Sequence, residues 1–473
     1  MSATIKGSTG EQGQGGLFGE EAGTSGASRA SPPVRSAPAR VMSAQRNQVE
    51  LRAVDLDAML AGDHPARSVW AFVQALDLAP LYAQIKSLEG GRGAPAIDPA
   101  ILVALWLLAT IEGVGSAREL ARLCERDDAY RWVCGGVGVN HHSLSDFRTG
   151  QQAWLDAQLT SSMVSLMDQG LVKLEVVAQD GMRVRASAKA ASFRRKEKLA
   201  HLHALARAQV QALKRELEED AGASSRRKQA ARERVAKDRE QRLAKALATM
   251  NKIKPPKQPK ASKRRGKKDD DPGPGGNAKA NTPAEPRVST TDADARVMKM
   301  ADGGFRPAYN VQLAVDAQTQ LIAAVEVVNS GSDMGQMAPM HSAVQQRYDF
   351  TPSHWLADGG FTKLQAINEL TERGTQPVVP PPRSRNPDID CLQPKLDDTP
   401  AQAQWRQLMG SDWGKDLYTQ RAATVECANA QLRRRGLTQF NVRGLIKVRA
   451  VALWHALAHN LMRMRSLNFT HAA

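Results

Sequence analysis

The sequence predicts an α/β protein: a mixed sheet interrupted once by a large helical insertion and preceded by a helical region. Three observations carry that prediction. After residue 290, short β-branched and apolar runs alternate with segments of helical period. An isolated β-rich run, Leu174 to Arg185, stands well before them. Between the two lies a basic, helix-forming stretch: residues 193–268 hold 25 Lys and Arg against 8 Asp and Glu, a net +17 in a chain of 473 residues whose total is +16.

At roughly 100 to 200 residues per domain, this length allows two to four domains with their own cores. The four cysteines, Cys124, Cys134, Cys391 and Cys427, form no CxxC pair, which argues against a zinc ribbon or a disulfide scaffold and fits a reducing cytosol. The most apolar run, Ile101 to Ile111, falls short of the about 20 residues a membrane span needs. The concentrated positive charge is an electrostatic footprint for a polyanion, nucleic acid above all; the competing reading is a solvated helical face.

Residues 1–47, rich in Gly, Ser, Ala, Pro and Gln, cannot repay the entropy of ordering and read as a disordered tail. They contain no hydrophobic core for a signal peptide. Residues 48–170 read as helices: Asp98-Pro99 caps the apolar Ile101 to Ile111 run, Ser116 opens a capping box with Glu119, a short helix covers Asp127 to Cys134, and Ser143 starts another. Short helices on tight Gly turns suggest a helix-turn-helix module. Residues 171–192 and 291–465 supply the sheet, with a strand carrying Asp180 at its end, a hairpin of Tyr309 to Val315 and Leu321 to Val328, a strand Ser353 to Ala357, and a last strand at Pro377 to Pro380. The predicted helices of this part run from Asp333 to Arg347, Gln402 to Met409, Asp416 to Arg434 and Leu445 to Met464. Residues 193–252 read as a basic helical hairpin turning at Ala221 to Ser225, and 253–290 as a Lys/Pro/Gly linker.

Two acids, Asp180 and Asp358, close apolar strands and precede glycines, which is where α/β sheets build sites. The alternative for each is an ordinary turn or cap. A third acid, Glu426, shares a helical face with Tyr418 and Arg433, and Arg421 lies close by; the competing reading is a solvent-facing Glu426–Arg433 pair. A phosphodiester substrate gives a reason to unite three carboxylates, because two hard divalent ions need carboxylate oxygens to hold them. Asp316, in a turn, and Asp333 are rival acids, and Asp292 and Asp294 lie where the linker rejoins the core; all four are left outside the site. His455 and His459 are four apart but have no third zinc ligand, His141-His142 precede the presumed recognition helix, and the tryptophans read as core.

The motifs Asp180-Gly181, Tyr309-Asn310-Val311-Gln312, Ala357-Asp358-Gly359-Gly360-Phe361, Tyr418-x-x-Arg421-x-x-x-x-Glu426 with Arg433, and Arg443-Gly444-Leu445 leading to His459-Asn460-Leu461 resemble the DDE transposases of bacterial insertion sequences. The nearest likeness is to the eleven-eighty-two family, over about residues 50 to 465. The resemblance implies an RNase H-like core in which Asp180, Asp358 and Glu426 bind two Mg²⁺ ions, with Mn²⁺ as a substitute. It also implies metal-dependent end cleavage and strand transfer on double-stranded DNA, both terminal inverted repeats and target. Further expectations are helices that recognise the repeats, DNA contacts from Tyr418, Arg421 and Arg433, a homo-oligomer in the synaptic complex, no membrane, and a cytoplasmic, nucleoid-associated location. Arg433 stands where Lys is frequent and Asn429 where an aromatic is common. A non-catalytic DNA-binding relative and a structure-specific nuclease remain the alternatives.

Overall fold

The computed structural model describes residues 49, 53, 55–87, 94–219, 226–253, 285–384, 386 and 388–469. The expected tail at 1–47, the turn at 221–225 and residues 254–284 of the expected linker at 253–290 lie outside them; at the end of that linker Val288–Ser289 form a strand, because they pair with Phe193–Arg194.

Among the described residues seven helices come first: α1 (Pro65–Gln74), α2 (Ala79–Tyr82), α3 (Pro99–Ile111), α4 (Ala117–Arg126), α5 (Asp128–Cys134), α6 (His141–Gly150) and α7 (Gln152–Asp168). Local chemistry sets their starts. Asp98 accepts the Ala100 amide at 2.8 Å ahead of Pro99, and Ser116 accepts that of Glu119 at 3.4 Å. Helix α6 starts earlier than Ser143 because Asn140 is its cap, accepting the amides of His142 and Ser143. Helix α3 is apolar all round and accordingly buried from Pro99 to Thr110.

The sheet is built from β1 (Val176–Arg185) and, after the insertion, β4 (Arg296–Lys299), β5 (Phe305–Asp316), β6 (Ile322–Val328), β7 (His354–Leu356) and β8 (Gln376–Val378), with the two-residue strands β2 (Phe193–Arg194) and β3 (Val288–Ser289) forming a separate ladder. Strand β5 is central: it pairs antiparallel with β1 on one edge and with β4 and β6 on the other. Beyond β1 the sheet turns parallel, through β7 to β8. Residues 307–316 of β5 are all buried, the mark of a strand covered on both faces. The mixed α/β sheet expected from the sequence is thus present, and β4 and the β2–β3 ladder are additions to it.

Two expectations need correction. Asp180 lies in the middle of β1, not at its end, because Met182 to Arg185 continue pairing with Ala308 to Val311 of β5. The helix expected over Asp416 to Arg434 is three pieces: α13 (Asp412–Arg421), a π-helical turn over Ala422–Glu426, and α14 (Cys427–Arg434). Four more helices complete this part: α10 (Met337–Tyr348), α11 (Leu364–Glu372), α12 (Pro400–Gly410) and α15 (Leu445–Ser466).

Helix α15 joins the sheet to the N-terminal helices, packing on β6, α3, α6 and α7. Its Asn460 side chain accepts the Ile322 amide at 2.8 Å and donates to the Ile322 carbonyl at 2.9 Å, behaving as a short extra piece of strand beside β6. Trp454 donates to the Arg148 carbonyl at 3.0 Å, so the same helix grips α6. One apolar cluster runs from Leu60 to Met464 as a result.

The insertion contributes two long helices, α8 (Lys196–Glu219) and α9 (Arg226–Lys252). They run antiparallel, since Arg207 faces Glu240 and Arg239 faces Gln209. Leu199, Ala206, Leu243, Ala246 and Met250 form their own small core with Val288 and Ala293. Lys245 of α9 meets Asp294 at 2.7 Å and ties the pair to the sheet-bearing part.

Candidate active site

The parallel register of β1 and β7 sets Val176 beside His354 and Ala178 beside Leu356. Asp180 and Asp358 each lie two residues farther along. Both therefore emerge at one level on neighbouring chains, which run about 4.8 Å apart in a sheet. Asp358 caps a 3₁₀ turn, Gly359–Phe361, by accepting the Gly360 amide at 2.8 Å. Asp180 accepts the Gly181 amide and the Asn429 side-chain amide, each at 2.8 Å.

Burial, less the pull of the Gly181 amide and Arg421 and more the push of Asp358 and Asp333, lifts the Asp180 carboxyl from the ordinary 3.8 to about 6. Negative charge here is therefore short of compensation. One amide carbonyl oxygen beside it, Asn429 Oδ1, is buried without a hydrogen-bond partner; Asn310 Oδ1 is likewise unpaired but lies on the Gly181 face of β1, opposite to Asp180. Carboxylates and amide oxygens are the donors a hard divalent cation takes, so the donor set fits such an ion in kind.

Glu426 is placed differently. Its carboxylate receives Arg421 at 2.5 Å, and its side chain is 52% exposed. The π-helical turn explains this pairing: its i to i+5 winding stacks residues five apart, whereas an α-helix would have stacked Ala422 and Glu426. The alternative partner, Arg433, is not used. Arg421 is the link between the groups: its charge is favoured by Tyr418, Asp180 and Glu426 against the cost of burial, and it lies 5.8 Å from the centre of the Tyr418 ring. The structure thus brings Asp180 near Asp358 and Arg421, and Arg421 in turn interacts with both Tyr418 and Glu426. Among the described residues no three acidic, His or Cys side chains form a cluster able to hold a metal ion.

Arg433 is exposed and sits elsewhere, with Arg183, Arg185 and Arg306 around an open cavity of about 320 Å³. Arg183 is paired with Asp333 at 2.8 Å and Arg306 with Asp302 at 2.5 Å.

Sequence reasoning missed two contributors. Asp333, set aside as a rival acid, accepts from Arg183, from Asn310 at 2.6 Å and from Gln312 at 2.8 Å, and so lies directly over Gly181. A Cβ on Gly181 would collide with Asp333 Oδ1 and Gln312 Nε2, which is why this position carries glycine. The motif Asn310-Val311-Gln312 was the available signal, since its two amides point the same way on β5. Asn429, which stands where an aromatic is common, donates instead to the Asp180 carboxylate. His455 and His459 are structural: burial pushes them down to about 3 and about 4, and His459 bonds the Gln320 carbonyl.

Comparison with protein families identifies two parts of the chain. Residues 285–461 match the transposase DDE domain and residues 54–150 match a transposase domain (DUF772). Both matched parts are transposase domains, and the chain is a DNA transposase carrying a DDE domain. Asp358, Tyr418, Arg421, Glu426 and Arg433 lie inside the first match; Asp180 lies before it and joins through the pairing of β1 with β5 and β7. No curated protein and no solved structure matches the chain. Among the described residues no helix is long and apolar enough to cross a membrane.

Proposed function

We propose that this transposase, of the eleven-eighty-two kind, binds the terminal inverted repeats of its insertion sequence and performs metal-dependent end cleavage and strand transfer at Asp180, Asp358 and Glu426. The observation that carries the reading is the shared level of Asp180 and Asp358 on adjacent parallel strands, with Arg421 between Asp180 and Glu426.

In this reading the sheet is an RNase H-like core made of residues 171–192 and 291–465. Residues 48–170 form the helix-turn-helix-like module that recognises the repeats, and residues 193–252 form the basic hairpin, joined to the core by the linker at 253–290. Asp180, Asp358 and Glu426 would hold two Mg²⁺ ions, or Mn²⁺ in their place. Such ions, when bound, activate the attacking oxygen and steady the leaving oxygen. The chain's own residues supply the positioning. Asn429 orients the Asp180 carboxylate, Asp333 and Gln312 hold the backbone at Gly181, and Arg421 with Tyr418 meets the phosphate. Glu426 joins the other acids once Arg421 is engaged by phosphate instead of by Glu426. Arg433 meets DNA on the strand side of β1. Two ends are cut together in a homo-oligomeric synaptic complex, in the cytoplasm on the nucleoid.

The test is to express the protein with the DNA that flanks its gene and map 3′-hydroxyl ends at the borders, with and without Mg²⁺, for wild type and Glu426→Gln. Cuts at inverted repeats that require both the metal and Glu426 are expected. Repeats bound but left uncut would replace this reading with a non-catalytic DNA-binding protein, and cuts never followed by joining would replace it with a nuclease.

A further inference from the structure

The basic insertion meets the rest of the molecule at an open cleft of about 350 Å³. Arg239 and Arg242 of α9 form one wall, Arg443 from the loop before α15 forms another, and Thr290 and Thr291, just after β3, bring hydroxyls; Leu243 lies in the floor. Of the three arginines only Arg242 has a carboxylate partner among the described residues, Asp238 one turn back on the same exposed helix face. Arg239 reaches only the Gln209 amide oxygen, at 3.5 Å, and Arg443 only the Ser187 carbonyl, at 3.2 Å. Guanidinium groups left with open donors around a wet cleft match the phosphates of a nucleic-acid backbone.

The cleft is held rigidly. Lys245 clamps α9 to Asp294, which also accepts the Leu445 amide at 3.1 Å and so fixes the loop bearing Arg443. The Thr290 amide donates to the Ser192 carbonyl at 3.0 Å, extending the β2–β3 ladder under the two threonines. Three separate stretches of sequence are thereby kept at one place, as a recognition surface requires. The contact of Arg443 with Ser187 also sets a scale: Ser187 is seven residues beyond Asp180. At about 3.3 Å per residue the chain spans at most about 23 Å between them.

We propose that this cleft is a docking site for the phosphate backbone of duplex DNA, gripping the flank of the DNA whose phosphate lies at Asp180. The choice of duplex DNA rests on the transposase reading above. The insertion then acts as a clamp on the DNA whose cut end lies at the acids.

The experiment measures binding of the full-length protein to a fluorescent DNA duplex across a range of salt concentrations. Arg239→Gln/Arg242→Gln/Arg443→Gln is compared with wild type and with Arg232→Gln/Arg234→Gln, which removes two charges from the same helix outside the cleft. Each lost phosphate contact lowers the slope of log affinity against log salt by about 0.9, so the triple variant is expected to lose about 2 to 3 and the control none. Arg239→Gln/Arg242→Gln, which leaves the Arg443 loop untouched, is expected to lose about 2. Equal loss in the control would overturn the proposal, because the helix would then be a diffuse basic surface. An unchanged slope in the triple variant, in a protein that still cuts its ends, would sink the cleft alone. A wild-type protein that binds no DNA would remove the transposase reading with it.

Discussion

The sheet-borne and helix-borne acids of this transposase are held by different means. Asp180 and Asp358 owe their positions to backbone pairing: the β1–β7 register sets their level, and the amides of Gly181 and Gly360 fix their carboxylates. Glu426 is held by one side-chain ion pair on a π-helical turn and remains half open to solvent. A sheet cannot slip by one residue without turning every side chain to its other face, so it suits groups that must be in place before substrate arrives. A helical turn whose acid is half exposed can release that acid to another partner more easily than a sheet can move a residue, and π-turns recur at such places. The contrast teaches that two of the acids are fixed by backbone pairing and the third by a side-chain contact alone.

The largest consequence is for stability. In the metal-free protein the folded Asp180 carboxyl titrates at about 6 against 3.8 ordinarily, so the folded chain binds this proton more tightly than the unfolded chain does. Its contribution is therefore full below pH 4 and is lost as pH rises through 6, by roughly 3 kcal/mol. Asp180→Asn should remove that decline: urea unfolding should find the variant about 3 kcal/mol more stable than wild type at pH 7 and equal to it at pH 4. Added Mg²⁺ should stabilise wild type and leave the variant unmoved. Matching pH profiles would show that the acid is not short of compensation.

Next comes the backbone at the same strand. Gly181→Ala should cost roughly 1 to 3 kcal/mol, because the new methyl must displace Asp333 and Gln312. Chemical unfolding would reveal it, and a neutral effect would mean that the Asp333 network is loose.

The smallest effect concerns the helix. A double-mutant cycle on Arg421→Ala and Glu426→Ala should give a coupling below about 1 kcal/mol, since Glu426 is largely solvated. A coupling of several kcal/mol would instead make Glu426 as fixed as the sheet acids and end the comparison.

Much of this was legible in the chain. The caps at Asp98 and Ser116, the hairpin of β5 and β6, and the ends of α15 follow from signals a few residues long, and so did the choice of Asp180, Asp358 and Glu426 as candidates. The partner of Glu426 was not, because a helical wheel assumes 3.6 residues per turn and the π-turn changes the count just where it matters. Nor was the continuation of β1 past Asp180: Asp-Gly ordinarily signals a turn, and only the β5 partner keeps this one extended. Asp333 could not be placed, since its role comes from Asn310 and Gln312 on another element.

By itself, then, the sequence determined the types of element, the basic insertion and the acids available, because these depend on periodicity, capping and charge, which are local. Only the tertiary structure decided which acids share a level, what covers Gly181 and where the insertion meets the sheet. Those are set by pairing between strands more than a hundred residues apart, such as β1 with β5 and β7, and a linear reading holds no information on register across such a gap.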